Sequence, residues 1–417
     1  MERLIDRQLR EELEAFGAVV IVGPKWCGKT TTAKQLAKSI IYMQDPSKRE
    51  TYAHMAKIKP SNLLEGENPR LIDEWQIAPQ LWDAVRFDVD IRNEQGLYVL
   101  TGSVSINESE IFHSGAGRIA RMKMRAMSLY ESGDSAGDVS LGALFSGLNS
   151  ISGHSKQSIE DIAKAIVRGG WPSSVGKSDS VAYRQVAGYC ETILESDILS
   201  VDGKKRDGQR MRAVLRSLSR NVSTPATNKT ILNDLISDSA EDMHLNTLAD
   251  YISALRKICV VEDLQAWSPK LRSKTAIRAS GVRHLTDPAI AAYFLGASPR
   301  DLEFDPNTFG LLFESMVIRD LRVYAQSLNG DVYHYRDEEG LEADAVIHLH
   351  DGRWCAVEVK LGAHMIDDAA KNLKRLRNKM DQRVMNHPSF LAVVTGTEFA
   401  YTRDDGIHVI PIGCLKD

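Results

Sequence analysis

Eight residues constrain this chain more than any other stretch: Gly23-Pro-Lys-Trp-Cys-Gly28-Lys29-Thr30. They fit the phosphate-loop (P-loop) pattern. The apolar run Ala18-Val-Val-Ile-Val22 precedes them, and a helix is read over Thr31 to Ile41 after them. Glycines let the backbone curl so that successive N–H groups point inward at phosphate oxygens, and the following helix adds its positive end. Gly23, Pro24, Lys25, Trp26, Cys27, Gly28, Lys29, Thr30 and Thr31 are therefore the expected contacts to ATP. Lys29 is expected to reach the β- and γ-phosphates, and Thr30 to hold Mg2+.

Leu71-Ile72-Asp73-Glu74 reads as a strand ending in two acids. Beside a P-loop, the first acid can hold Mg2+ and the second can orient the attacking water. Asp73 is thus the expected metal-side acid and Glu74 the expected base. A solvated Asp-Glu pair is the alternative. Leu97-Tyr-Val-Leu100 is another buried strand, ending in Thr101-Gly102-Ser103. The Ser103 hydroxyl can feel the γ-phosphate, and an ordinary strand-end turn explains it equally well. An arginine can stabilise transition-state charge from a neighbouring subunit, which makes Arg118, after Gly117, the candidate finger against a plain surface role. Strand, turn, helix, strand in this order argues for a parallel α/β sheet.

Composition sets the outer limits. Of 417 residues, 43% are hydrophobic and 26% charged, which excludes a collagen, a coiled-coil rod and a wholly disordered chain. The length suggests two or three domains at roughly 150 residues each. No apolar run is long enough to span a membrane. The N-terminal stretch Met1 to Glu14 is charged and lacks the apolar core of a signal peptide, so the cytoplasm is the expected compartment. Five scattered cysteines show neither metal-ligand spacing nor a disulfide framework. A net charge of −4 confines any nucleic-acid site to a local patch.

The polar region Ser132 to Ser155 is read as the close of the first domain, residues 1–155. A helical connector follows over 156–207, broken by Arg168-Gly-Gly-Trp-Pro172. Residues 208–300 read as three helices (Arg210 to Leu218, Asn228 to Ile236, Leu245 to Ile258) and a hairpin, Val260 to Leu264 with Ala276 to Ala279. That is the order of a winged helix-turn-helix. Its third helix has few basic groups at its start, which argues against base reading. The flanks are basic: Lys204, Lys205, Arg206, Arg210, Arg212, Arg216 and Arg220 before it, and Lys270, Arg272, Lys274, Arg278 and Arg283 in the wing. Such clusters suit phosphate contacts on DNA without sequence specificity, or simply solvated charge.

The last part, residues 301–417, opens with a helix through Glu314 and continues as strands over Val332 to Tyr335, Glu342 to Leu349 and Trp354 to Lys360. A basic helix follows, Ala369 to Lys379, then strands Phe390 to Thr395 and Ile407 to Ile410. Residues i and i+2 of a strand share a face, so Glu358 and Lys360 project together. If the strands pair, Asp344 lies beside Glu358. Two carboxylates can then bind a divalent ion, and the lysine can orient a water for attack on a phosphodiester. Glu314 completes the expected set. Charged residues on a solvated sheet face are the alternative.

Two resemblances follow. The P-loop, Leu-Ile-Asp73-Glu74-Trp-Gln76, Thr101-Gly102-Ser103 and Gly117-Arg118 together resemble the AAA+ superfamily, specifically prokaryotic AAA ATPases carrying a C-terminal DUF4143 domain. Gly169-Gly-Trp-Pro172 and Tyr189 to Ile198 resemble the start of that second domain. Trp26-Cys27 depart from the smaller or basic residues usual there, and Cys27 is expected to pack rather than react. Asp344 followed by Glu358-Val-Lys360, with Glu314 upstream, resembles the PD-(D/E)xK nucleases. The resemblances imply a Mg2+-dependent ATPase, an oligomer with a hexamer as the family-style expectation, and a DNA-binding, nuclease-like C-terminal half of restriction-endonuclease-like α/β fold. The alternative is a nucleotide-dependent switch or scaffold whose inactive nuclease-like fold binds a protein partner.

Overall fold

The computed structural model describes residues 2–103, 113–197, 204, 206–239, 243–269, 281–380 and 385–417. The chain divides into two compact units: Met1–Arg125 with Lys257–Cys259, and Ala126–Arg256 with Val260–Asp417.

In the first unit, α1 (Leu4–Ala15) leads into β1 (Ala18–Val22), α2 (Lys29–Lys34), β2 (Ser39–Tyr42), α3 (Arg49–Ile58) and α4 (Ser61–Leu64). Then come β3 (Arg70–Asp73), a 3-10 turn at Trp75–Ile77, α5 (Gln80–Arg92), β4 (Tyr98–Gly102) and β5 (Ile119–Lys123). The sheet is parallel throughout, in the order β2-β3-β4-β1-β5. Parallel strands covered on both faces read as continuous apolar runs, as Ala18 to Ile21 do. Val20, Ile72 and Leu100 pack with Trp75, Leu81, Trp82 and Val85. One expectation fails here. The helix read over Thr31 to Ile41 stops at Lys34, and Ser39–Tyr42 is β2. The helix formers Ala33 to Lys38 masked that break, while Ile40, Ile41 and Tyr42 suit the sheet edge.

The second unit begins with α6 (Leu129–Ser132), β6 (Val139–Ser140), α7 (Leu141–Phe145) and β7 (Ser152–His154). Helices α8 (Ile159–Arg168), α9 (Asp179–Thr192), α10 (Gly208–Arg220), α11 (Asn228–Ser239), α12 (Leu245–Lys257), α13 (Pro288–Leu295), α14 (Pro299–Phe304) and α15 (Pro306–Ser327) follow. The chain ends with β8 (Gly330–Arg336), β9 (Glu342–Leu349), β10 (Trp354–Lys360), α16 (Ile366–Lys379), β11 (Leu391–Thr395), β12 (Phe399–Thr402), β13 (His408–Pro411) and β14 (Leu415–Lys416). Seven strands form one sheet, β7-β12-β13-β11-β10-β9-β8, and β14 pairs with β6. The structural division therefore falls at Arg125/Ala126 rather than near residue 155, because β6 and β7 are hydrogen-bonded to β14 and β12.

The three helices expected at 208–300 are α10, α11 and α12. Val261 bridges Leu285 and Leu264 bridges Val282, both antiparallel, so the base of the hairpin lies at 282–285. The expected partner segment Ala276 to Ala279 lies outside the described residues.

A buried ion triad ties this unit together. Arg319 on α15 lies 2.9 Å from Asp287 and 2.7 Å from Asp320, with all three side chains out of solvent. Asp287 also caps α13 and accepts from Gly170 N at 3.0 Å, while Asp320 accepts from Leu129 N at 2.9 Å. A Cβ at Gly170 would sit 2.2 Å from the Met127 carbonyl oxygen, which explains the glycine of the Gly-Gly-Trp-Pro motif. Removing one member of a buried ion set strands the others, so Arg319→Met should lower the unfolding free energy by about 3–5 kcal/mol, read by urea denaturation of the full chain.

Candidate functional site

In the first unit, register brings the expected residues to one edge of the sheet. Val22 pairs with Gly102, and Asp73 with Thr101, so the P-loop, the two acids and the end of β4 converge at the strands' carboxyl ends. Open parallel sheets place ligands at this edge. Gly23 lies against Met124, the residue just after β5: a Cβ there would sit 2.1 Å from Met124 O. Gly28 has φ 105, as the loop's turn into α2 requires. Lys29 Nζ donates to Gly23 O at 3.0 Å and Pro24 O at 2.8 Å. Cys27 is buried, as its packing role requires, whereas Trp26 is 53% exposed at φ 65.

Asp73 is buried and accepts three hydrogen bonds: from Thr30 Oγ1 and Thr101 Oγ1, each at 2.6 Å, and from Gln44 Nε2 at 3.0 Å. Glu74 accepts from Ser103 Oγ at 3.2 Å and from the Gln76 carboxamide. Arg118 is not brought to this edge. Ala18 N bonds its carbonyl at 3.0 Å, which puts it at the opposite end of β1. Its exposed guanidinium pairs with Asp90 at 2.6 Å.

The residues that grip the loop from outside are Arg3 and Asp6. Arg3 donates to Cys27 O at 2.9 Å and Arg125 O at 3.0 Å. Asp6 accepts from Thr32 Oγ1 at 2.9 Å and Gln35 Nε2 at 3.0 Å. Sequence reading missed both, together with Gln44.

In the second unit, β9 and β10 pair antiparallel, with Val357 opposite Ala345, and this register carries Asp344 beside Glu358. Lys360 Nζ lies 3.1 Å from Asp344 and 2.8 Å from Glu358. Val359 N donates to Asp344 at 2.7 Å. Asn372 on α16, also missed, donates to Glu358 Oε1 at 3.1 Å. Burial, then the charge of Asp344, pushes Glu358 up to about 8. Burial and Asp344 likewise hold Glu314 well above the usual carboxylate range. Burial opposes the charge on Lys360, but Asp344 and Glu358 outweigh it and hold its pKa up.

The set divides between two cavities. Glu358, Lys360, His364, Asn372 and Arg375 line one of about 710 Å3. Glu314, Asp344 and His334, with Ser223 and Thr224, line another of about 550 Å3. Among the described residues no group of three or more His, Cys, Asp or Glu is gathered to hold a metal ion. Of the expected metal set, Asp344 and Glu358 both pair with the Lys360 ammonium, and Glu314 shares the second cavity with Asp344.

Many of the basic residues expected to meet phosphate are paired. Lys204 and Arg206 hold Asp250, Arg212 holds Glu191, Arg220 reaches Asp234, and Arg283 is buried against Asp263. On α16, Lys374 pairs with Asp405 and Lys379 with Asp337. Arg216 and Arg375 are exposed. Lys205, Lys270, Arg272, Lys274 and Arg278 lie outside the described residues.

Family comparison matches residues 15–132 to an AAA domain, 159–301 to a domain of unknown function, DUF8612, and 309–415 to DUF4143. The chain carries an AAA domain and a DUF4143 domain. The AAA domain makes the P-loop part a nucleotide-binding ATPase unit. Gly169 to Pro172 and Tyr189, expected to open the DUF4143 domain, fall instead within the DUF8612 match. The uncharacterized proteins Mb2031c of Mycobacterium bovis and Rv2008c of Mycobacterium tuberculosis are each 24% identical over 359 residues, 85% of this chain and 72% of theirs. Among solved structures, the Walker-type ATPase PABY2304 of Pyrococcus abyssi matches with a TM-score of 0.43 and 14% identity, over 69% of this chain and 94% of that one. Among the described residues no helix is long and apolar enough to cross a membrane.

The DUF4143 site has a pH signature. Glu358 keeps its proton in the folded chain up to about 8, whereas an unfolded glutamate releases it near 4.3. The folded state therefore binds the extra proton between those values, and its stability falls as pH rises through that window. Denaturant titrations from acid to pH 8 should show this decline, and Glu358→Gln should make it shallower, leaving the share due to Glu314.

Proposed function

We propose that the chain is a Mg2+-dependent ATPase, working as an oligomer, whose C-terminal half binds DNA and acts on its phosphodiester backbone. The observation that carries the ATPase part is the convergence of Lys29, Thr30, Asp73, Glu74 and Ser103 at one sheet edge. The Thr30 hydroxyl and the Asp73 carboxylate are hard oxygen donors, which suit Mg2+, an ion that otherwise keeps waters and substrate phosphates. Bound there, the ion would neutralise phosphate charge. Lys29 holds the phosphates, Asp73 orients Thr30, and Glu74 takes the proton of the attacking water. Arg118, remote from its own P-loop, serves the nucleotide of a neighbouring copy. Lys29→Ala should bring ATP turnover to background, and normal turnover in that variant would sink the assignment.

For the C-terminal half, Asp344, Glu358 and Lys360 on paired strands support phosphodiester cleavage, with Asp344 and Glu358 as the oxygen donors for a divalent ion. A specific observation favours the second reading, a nucleotide-dependent switch or scaffold with an inactive fold: Lys360 already pairs with both carboxyl groups. Cleavage of labelled single-stranded, duplex and branched DNA with Mg2+ or Mn2+, with and without ATP, separates the two. Cleavage lost in both Asp344→Ala and Lys360→Ala establishes the nuclease. No cleavage by ATPase-active wild type leaves the switch.

A further inference from the structure

The P-loop has two limbs, and both are fastened to the same short piece of chain. At the first limb, Met124 N donates to Val22 O at 2.8 Å, and Gly23 meets the Met124 carbonyl with no side chain between. The second limb is Cys27. Its Sγ lies 3.9 Å from Met124 O, and its carbonyl accepts from Arg3 Nη1 at 2.9 Å. Through Nη2 the same guanidinium donates to Arg125 O at 3.0 Å. Arg3 is buried, and the first turn of α1 sets it in place. There Arg3 N donates to Asp6 Oδ2 at 2.9 Å, and Asp6 N donates to Arg3 O at 3.0 Å. A planar guanidinium can span two acceptors in this way, whereas a lysine ammonium is a point charge.

The bond to Cys27 has a consequence on the other side of the loop. A planar trans peptide points its C=O and its N–H in opposite directions. Holding the Cys27 carbonyl outward on Arg3 therefore holds the Gly28 N–H inward. Among the described residues that N–H donates to no backbone carbonyl. Gly28 is left-handed at φ 105, ψ 12, and the helical residue Lys29 follows it. This change of hand gathers the N–H groups of Gly28, Lys29 and Thr30 around one concavity, the geometry of an anion nest. Dipoles fixed in advance need no reorganisation when a phosphate arrives. A Cys27–Gly28 peptide free to flip would instead present a carbonyl oxygen to that phosphate.

We propose that Arg3 is a positioning residue for the nucleotide: it fixes the Cys27–Gly28 peptide so that the Gly28 N–H faces the phosphates. This rests on the P-loop as the nucleotide site. Arg3 acts through the loop backbone, from the side away from the phosphates, and so sets affinity rather than the chemical step.

The test is calorimetric titration of Mg-ADP, which binds without turning over, into the full chain as wild type, Arg3→Ala and Arg3→Lys. Thermal melting and steady-state hydrolysis of Mg-ATP accompany it. Losing a charge-assisted hydrogen bond that aims a phosphate donor should raise the Kd of Arg3→Ala about 10- to 100-fold. KM should rise with it at little change in kcat, the mark of lost uniform binding. Millimolar guanidinium chloride should return Arg3→Ala toward the wild-type Kd, where equal sodium chloride does not, because the free cation fits the space the side chain left. An Arg3→Ala protein that melts like wild type and binds Mg-ADP as tightly overturns the assignment. Weakened binding that guanidinium fails to recover makes Arg3 an anchor of α1 alone and overturns it too. If Arg3→Ala fails to fold, Arg3→Lys decides, since one ammonium cannot span both carbonyls: a raised Kd supports the role, and an unchanged Kd overturns it. A wild type that binds no Mg-ADP overturns the loop as the nucleotide site, and the role of Arg3 with it.

Discussion

The ATPase unit depends on one buried carboxylate. Asp73 is satisfied by three neutral donors from three different places: Thr30 at the start of α2, Thr101 on β4 and Gln44 after β2. A buried acid is tolerated only when it is hydrogen-bonded. The arrangement therefore requires β3 and β4 to lie side by side in register, with the P-loop turned toward them. The strand order delivers this by setting β4 between β1 and β3. Arg3 and Asp6 then lock the loop from its outer side. The Arg3 guanidinium satisfies the Cys27 and Arg125 carbonyls, and Asp6 takes donors from two residues in and after α2.

In the second unit a charged node plays the corresponding part. One guanidinium meets two aspartates, and through their backbone contacts it fixes residues as distant in sequence as Leu129, Gly170, Asp287 and Asp320. Burial pushes Asp320 up to about 6 even beside Arg319. Desolvation thus outweighs attraction at that carboxyl, the general hazard of buried ion sets. The triad is better understood as specifying one packing of α6, α13 and α15 than as a large net stabiliser.

What was legible in the sequence was whatever rests on local pattern. The P-loop, the Asp-Glu strand end and the β9–β10 hairpin each carry their own periodicity or motif, and the structure places them where that pattern implies. What was not legible depends on contacts far apart in the chain. Arg3 reads as one more charge on an amphipathic N-terminus until it is seen to reach Cys27 and Arg125, 24 and 122 residues away. Ser152–His154 has no strand signature and becomes β7 only because β12 offers a free edge. Helix α2 ends early although Ala33 to Lys38 are good helix formers, because Ser39–Tyr42 must reach β3. Basic residues counted as a DNA-facing patch turn out to be matched with Asp250, Glu191, Asp234 and Asp263, a pairing that no charge count along the sequence reveals.

The two sites use the same device, an acid at a strand end served by its neighbours, and differ in what serves it. The donors to Asp73 are two hydroxyls and an amide. A hydroxyl can turn its lone pairs toward a cation without any charge having to leave, which suits this carboxylate to the proposed Mg2+. The donors to Asp344 and Glu358 include the ammonium of Lys360, which lies within 3.1 Å of both. Burial and the charge of Asp344 keep the Glu358 carboxyl protonated up to about 8, so the two groups coexist through that retained proton as well as through the lysine. A divalent ion entering there must share or take the position of a charge already present. That difference in electrostatic starting point is why the first site supports a single hydrolytic reading and the second supports both a nuclease and a self-neutralised binding fold.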